Sequence, residues 1–144
     1  MGITQEQSQS TFFPSQLEPL DHNASPGHTY TNIKVRYGDT FSLTRQLLKS
    51  RPDYVHKTAV LKCASDAELA GGWRHRFGTT QEDALCYSST LGPTLDQWRE
   101  KYPWRTVVQR DRNNPGECAG VFSPQVVIFR DEISGNCETL PKKD

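Results

Sequence analysis

The chain has 144 residues, with 17 Lys+Arg against 17 Asp+Glu and a formal net charge of zero. A length of this order fits one domain, and a 34% hydrophobic fraction with a mean hydropathy of −0.73 allows it only a small core. The neutral balance excludes a general electrostatic pull on nucleic acid, so direct DNA binding is not expected, and no apolar run reaches membrane-spanning length.

Residues 1–28 are rich in Ser, Gln and Pro and read as a disordered tail. Their most apolar feature is the pair Phe12 and Phe13, and docking of that pair onto the domain is the alternative. The polar start carries no apolar stretch of signal-peptide type, which predicts an intracellular protein, in cytoplasm or nucleus. Residues 31–37 alternate, with Ile33, Val35 and Tyr37 on one side and Lys34 and Arg36 on the other. That pattern predicts a half-buried strand. Asp39 or Thr40 then supplies an N-cap for a helix over 41–50, with Phe41, Thr44, Leu47 and Leu48 on one face and Pro52 as the stop. Residues 58–63 form a short, mostly apolar run, expected as a strand buried on both faces.

Residues 64–80 read as a loop. Residues 81–89 read as a helix with Ala84, Leu85 and Ser88 inward, broken by Gly92-Pro93. Helix resumes over 94–102, with Leu95 and Trp98 on one face, until Pro103. A charged turn at 110–116 leads to a last strand over 121–130 and a polar tail over 132–144. Strands alternating with helices indicate an α/β layer structure. Of the four cysteines, Cys63 and Cys86 read as buried small hydrophobes, and Cys118 and Cys137 as free thiols in turn-rich segments. They form no C-x-x-C pair and have no histidine at zinc-ligand spacing, so no metal is expected.

The chemistry-bearing stretch is residues 60–91. An apolar run ends in Ala64-Ser65, a loop carries Gly71-Gly72, and Gln81-Glu82-Asp83 opens a helix. Glycines near a helix start let backbone N–H groups approach an anion such as a diphosphate. Adjacent carboxylates beside such a loop are candidate acid/base groups at a sugar. Read alone, however, helix-start acids are more often simple partners of the helix dipole. Lys62 fits either a surface lysine or a point charge for a phosphate. Trp73, Arg74, His75, Arg76 and Phe77 make a basic-aromatic loop suited to a pyrophosphate or an adenine ring. His75 has no acid partner near it in sequence and is not read as catalytic. Trp98 and Trp104 read as core and rim.

At these residues the chain resembles the microbial-type poly(ADP-ribose) glycohydrolases, a branch of the macro domains. The resemblance rests on Ala64-Ser65, on Ala70-Gly71-Gly72, on the eight-residue spacer 73–80, and on Gln81-Glu82-Asp83. Leu85-Cys86, Ser89-Thr90-Leu91, the run from Phe122-Ser123-Pro124 to Phe129-Arg130-Asp131, and Gly38-Asp39-Thr40 add to it. It implies a macro-domain-like three-layer α/β/α unit with a mixed sheet over residues 29–131. It also implies a second half that would begin about where this chain stops, so the expected unit is incomplete at its C-terminal side. The implied activity is hydrolysis of ADP-ribosyl linkages, with ADP-ribose or poly(ADP-ribose) as the partner and no cofactor. In that reading Asp83 is the acid/base, Glu82 holds ribose hydroxyls, and Ala64, Ser65, Gly71, Gly72 and Gln81 line the substrate. A non-catalytic ADP-ribose binding module and an inactive fragment are the alternatives. Four departures stand out: Asp83 replaces the family's second Glu, Ala70 its first glycine, Lys62 its asparagine, and Glu68-Leu69 its Asn-Pro.

Overall fold

The computed structural model describes residues 9–15, 17–24, 27, 32–75, 78, 80–103 and 119–141. Arg76, Phe77, Trp104, Cys118 and the charged turn at 110–116 lie outside the described residues.

Asp39, not Thr40, caps the first helix. Its carboxylate accepts the Ser42 N–H at 2.8 Å, so α1 runs Thr40–Ser50. The Arg51 N–H closes on the Leu47 carbonyl, and a 3-10 turn, Pro52–Tyr54, follows. Only Phe41 of the expected apolar face is buried, at 7% exposure, whereas Leu47 is 41% exposed. Thr80 caps the second helix, α2, Gln81–Ser88. Ser89 is extended there, and its hydroxyl donates to the Leu85 carbonyl and accepts the Leu91 N–H. The chain therefore turns at Ser89-Thr90 and re-enters helix as α3, Leu91–Leu95, which continues as the 3-10 turn Asp96–Lys101. The expected break at Gly92-Pro93 does not occur. Pro93 is the third residue of α3, where a backbone N–H would have no intrahelical acceptor anyway.

The core sits where α2 and α3 meet the glycine loop. Leu85, Cys86 and Ala70 are each 1% exposed, and Phe41, Leu91 and Leu95 join them. Leu69, Trp73, Val121, Val126 and Ile128 pack against this cluster. The N-terminal segment is not wholly a disordered tail. Thr11–Phe13 forms β1, antiparallel to β2, Gly120–Phe122, with Phe12 opposite Val121. The Phe12 ring lies 5.6 Å from Trp98, and the Ser10 and Ser123 hydroxyls meet at 2.7 Å. The phenylalanine pair thus anchors this segment, the alternative noted for it.

The strand expected over 121–130 is shorter. Pro124 offers no N–H, and Gln125 adopts a left-handed φ of 54°, so ladder pairing stops after Phe122. Isolated bridges join Ser89 to Ile128 and Arg130 to Thr139. Part of the polar C-terminal tail consequently packs back: the Leu140 N–H donates to the Phe129 carbonyl at 2.9 Å, and Arg45 pairs with Asp131 at 2.7 Å.

Two expected strands are absent. Residues 32–37 and 58–63 carry no strand, and they are not buried. Ile33 is 85% exposed, Val35 96% and Leu61 87%, and Cys63, expected to be buried, is exposed as well. Alternation makes a chain suitable for a sheet, but a ladder needs a neighbour, and among the described residues no backbone segment pairs with either stretch. The described residues form a small domain of mixed helices with one two-stranded antiparallel sheet. No described helix is long and apolar enough to cross a membrane.

These two apolar rows predict self-association. Sedimentation velocity at micromolar concentration is expected to show dimers or larger species. The double variant Val35→Lys, Leu61→Lys is expected to shift the distribution to monomer. A wild type that stays monomeric throughout would contradict this reading.

Candidate active site

The site is built on the first turn of α2. Glu82 and Asp83 occupy the second and third helical positions, at the positive end of the helix dipole, and each is only 3% exposed. Glu82 is held at both oxygens. The Lys62 ammonium donates to Oε1 at 2.6 Å, and the Ser65 N–H donates to Oε2 at 2.6 Å. The Ser65 hydroxyl in turn accepts the Ala67 and Glu68 N–H groups, which bends the chain toward the glycines. Gln81 ties the same segment down. Its Oε1 accepts the Cys63 N–H at 3.1 Å, and its Nε2 donates to the Thr40 hydroxyl at 2.9 Å. Ala64 is exposed between these two anchored neighbours.

Asp83 is held differently. The Thr80 hydroxyl donates to Oδ2 at 2.6 Å and accepts the Asp83 N–H at 3.3 Å, a reciprocal cap. Oδ1 is buried and, among the described residues, finds no hydrogen-bond partner. Glycines surround this carboxylate. A Cβ on Gly71 would stand 2.7 Å from Oδ1 and 3.4 Å from the Glu82 Cγ, and one on Gly78 would overlap Oδ2. Gly71 also needs its φ of +66°, which follows an Ala70 at φ 59°, so Ala70 adopts the left-handed conformation without a glycine's freedom. Gly72 faces Glu68, whose Oε1 lies 2.5 Å from where its Cβ would be. The side-chain face of the glycine pair is thus filled by the protein's own carboxylates.

Residues 3–131 match the family described as microbial-type PARG, catalytic domain. The chain belongs to this family. No curated protein and no solved structure shows significant similarity to the chain.

In this family member the structure brings Ser65, Gly71, Glu82 and Asp83 together, with Gln81 anchoring the frame. The basic-aromatic loop runs alongside. Arg74 pairs with Asp96 and lies over the Trp73 indole, 5.4 Å from the ring centre. Trp73 in turn packs against Gly92, where a Cβ would come within 2.6 Å of the ring. A hollow of about 60 Å³ beside Gly72 is lined by Trp73, Arg74, Asp96 and Arg99 among others. No group of His, Cys, Asp and Glu among the described residues is placed to hold a metal ion.

Sequence reasoning missed Thr80, Gly78 and Tyr102. The pattern Thr80-x-x-Asp83 carries the capping-box signal for the first. Nothing in sequence marks Gly78 as the wall behind Asp83. Burial, then the Glu82 carboxylate, then Cys86 push the Tyr102 hydroxyl well above the ordinary tyrosine range, so this group lies within electrostatic reach of Glu82.

The packing of Asp83 predicts that Gly71→Ala destabilises the fold by about 1–3 kcal/mol, from left-handed strain plus displacement of the carboxylate. Urea unfolding measures this, and an unchanged midpoint would contradict the geometry.

A second expectation concerns pH. Burial, opposed by Lys62 and assisted by Glu82, Asp83 and Asp96, pushes the Cys86 thiol from its ordinary value of 9.0 up to about 12. The fold favours the protonated thiol, so this stabilisation is complete below pH 9.0 and is lost as pH rises toward about 12. Between about pH 8 and about pH 10.5 the urea midpoint of the wild type is expected to fall more than that of Cys86→Ala. Tyr102 acts in the same direction in both proteins, and the part of its shift that comes from burial and Glu82 cancels in the comparison.

Proposed function

We propose that the chain hydrolyses ADP-ribosyl linkages of the poly(ADP-ribose) type, with Asp83 as general acid/base and Glu82 holding ribose hydroxyls. The family supports the reaction class. The observation that carries the assignment of Asp83 is its unpartnered Oδ1, buried next to Gly71. A buried carboxylate oxygen without a partner costs stability, and sites that keep such a group commonly use it. Oδ2 is already committed to Thr80, so Oδ1 is the free atom for proton transfer.

In the proposed reaction the bond from the ribose anomeric carbon to the leaving oxygen breaks. Protonated Asp83 supplies the proton that this oxygen needs. The ring acquires oxocarbenium character, which the adjacent Glu82 carboxylate steadies. The Asp83 carboxylate then removes a proton from water as that water's oxygen bonds to the anomeric carbon, and the acid is regenerated. Ala64, Ser65 and Gln81 frame the ribose side. Gly71, Gly72 and the Trp73–Arg74 surface offer a path for the diphosphate, reached from their backbone side.

The same reading takes residues 29–131 as a macro-domain-like glycohydrolase region with a three-layer α/β/α arrangement and a mixed sheet. Its support is the apolar alternation of residues 32–37 and the apolar run 58–63, which are composed as strands. The second reading is a non-catalytic ADP-ribose reader. What favours it is the capping duty of Asp83, since a carboxylate serving Thr80 and the α2 N-terminus has a structural reason to be there.

Asp83→Asn separates the two. It keeps size and shape but cannot cycle a proton. It is expected to abolish release of ADP-ribose from poly(ADP-ribose), followed by chromatography, while ADP-ribose still raises the melting temperature. That thermal shift corresponds to about 2.7 kcal/mol at roughly one hundred times the dissociation constant. Wild type that binds ADP-ribose without turning over the polymer makes the chain a reader. Absence of a thermal shift at millimolar ADP-ribose overturns both.

A further inference from the structure

We infer that Lys62 is a specificity-determining residue that makes the acid pair receptive to phosphorylated ribosides and not to neutral ones. This inference rests on the assignment of the Glu82–Asp83 pair as the ribose site. Two carboxylates, each 3% exposed, lie side by side in the first turn of α2. The one cation in contact with either of them among the described residues is Lys62, whose side chain is 14% exposed. Without that ammonium a diphosphate would approach the buried Glu82 carboxylate in a region of low dielectric, where repulsion is strong. With it, Glu82 is neutralised at Oε1 by direct contact.

The ammonium also has capacity left. It carries three N–H donors, and among the described residues one is engaged, with Glu82. Glu82 joins the ammonium to the glycine loop: its Oε1 accepts from Lys62, and its Cγ lies 3.4 Å from the position of a Gly71 Cβ. A ligand phosphate at that loop meets a lysine already fixed in place by a carboxylate, with donors to spare. A neutral riboside meets the opposite situation. The oxygen it would use, Glu82 Oε1, is occupied by the lysine. Lys62 therefore favours the anion and competes with the bare sugar hydroxyl, so its removal acts on the two ligand classes with opposite sign.

Calorimetry on the full chain with ADP-ribose, inorganic pyrophosphate and adenosine tests this. Lys62→Met is expected to weaken ADP-ribose and pyrophosphate by about tenfold or more, the loss of one charge-assisted contact, while adenosine binds as well as or better than to wild type. Lys62→Arg, which keeps the charge, is expected to stay within about threefold of wild type for both anions. Leaving Glu82 without its partner can prevent folding. The double variant Lys62→Met, Glu82→Gln removes both charges and is expected to show the same loss toward pyrophosphate. Equal weakening of all three ligands, or no change in any, assigns Lys62 a structural role and overturns the inference. Wild type that binds pyrophosphate through Lys62 but not ADP-ribose leaves Lys62 a bare anion contact and overturns both the functional reading and the inference built on it. Wild type that binds neither anion overturns both.

Discussion

The Glu82 carboxylate is the joint on which the described structure depends. One side chain at 3% exposure takes the Lys62 ammonium and the Ser65 N–H, so it fastens residues 62–65 to the N-terminus of α2. Gln81 repeats the attachment one residue earlier and extends it to Thr40 at the start of α1. The segment 58–63 has no ladder to hold it, and these side-chain contacts set its course. Removing one partner of such a buried pair costs about 3–5 kcal/mol in general, because the remaining charge is stranded. The same contact that shapes the site is therefore also a structural fastening.

The second acid and the loop around it are matched in size. Asp83 stands where the family resemblance expects the longer glutamate, and Gly71 and Gly78 close on its carboxylate so tightly that a side chain at either would overlap it. Ala70, in place of a glycine, accepts a left-handed φ and buries its methyl group in the core at 1% exposure. Strain of roughly 1–2 kcal/mol in the backbone is offset there by about 0.8 kcal/mol of burial and by the packing of neighbouring Leu69 and Trp73. The short acid, the tight loop and the alanine form one mutually consistent arrangement.

Much of this was legible in sequence where the signal is local. The starts of α1 and α2, the stop at Pro52 and the burial of Leu85 and Cys86 follow from spacing within a few residues, and the grouping of Ser65, the glycines and the acid pair follows from the order of the motifs. The family resemblance read from those motifs agrees with the match over residues 3–131. What was not legible depends on partners distant in sequence. Lys62 reaches Glu82 across 20 positions, and no pattern announces it. The alternation of Ile33, Val35 and Tyr37 describes a face without saying whether anything covers it. The strand over 121–130 was overextended because a single residue, Gln125, takes a left-handed turn that apolar periodicity does not register.

The pairing of β1 with β2 has a consequence for synthesis. Ser10 and Ser123, which flank that pair, are 113 positions apart. At a translation rate of about 5–20 residues per second, the N-terminal strand emerges roughly 6–23 seconds before its partner has been made. During that interval Phe12 and Phe13 have neither β2 beside them nor, for most of it, Trp98 to pack on. Closing a loop of this length is also among the slower kinds of contact to form. Until β2 has been made, the nascent chain thus carries this apolar pair without the strand that covers it.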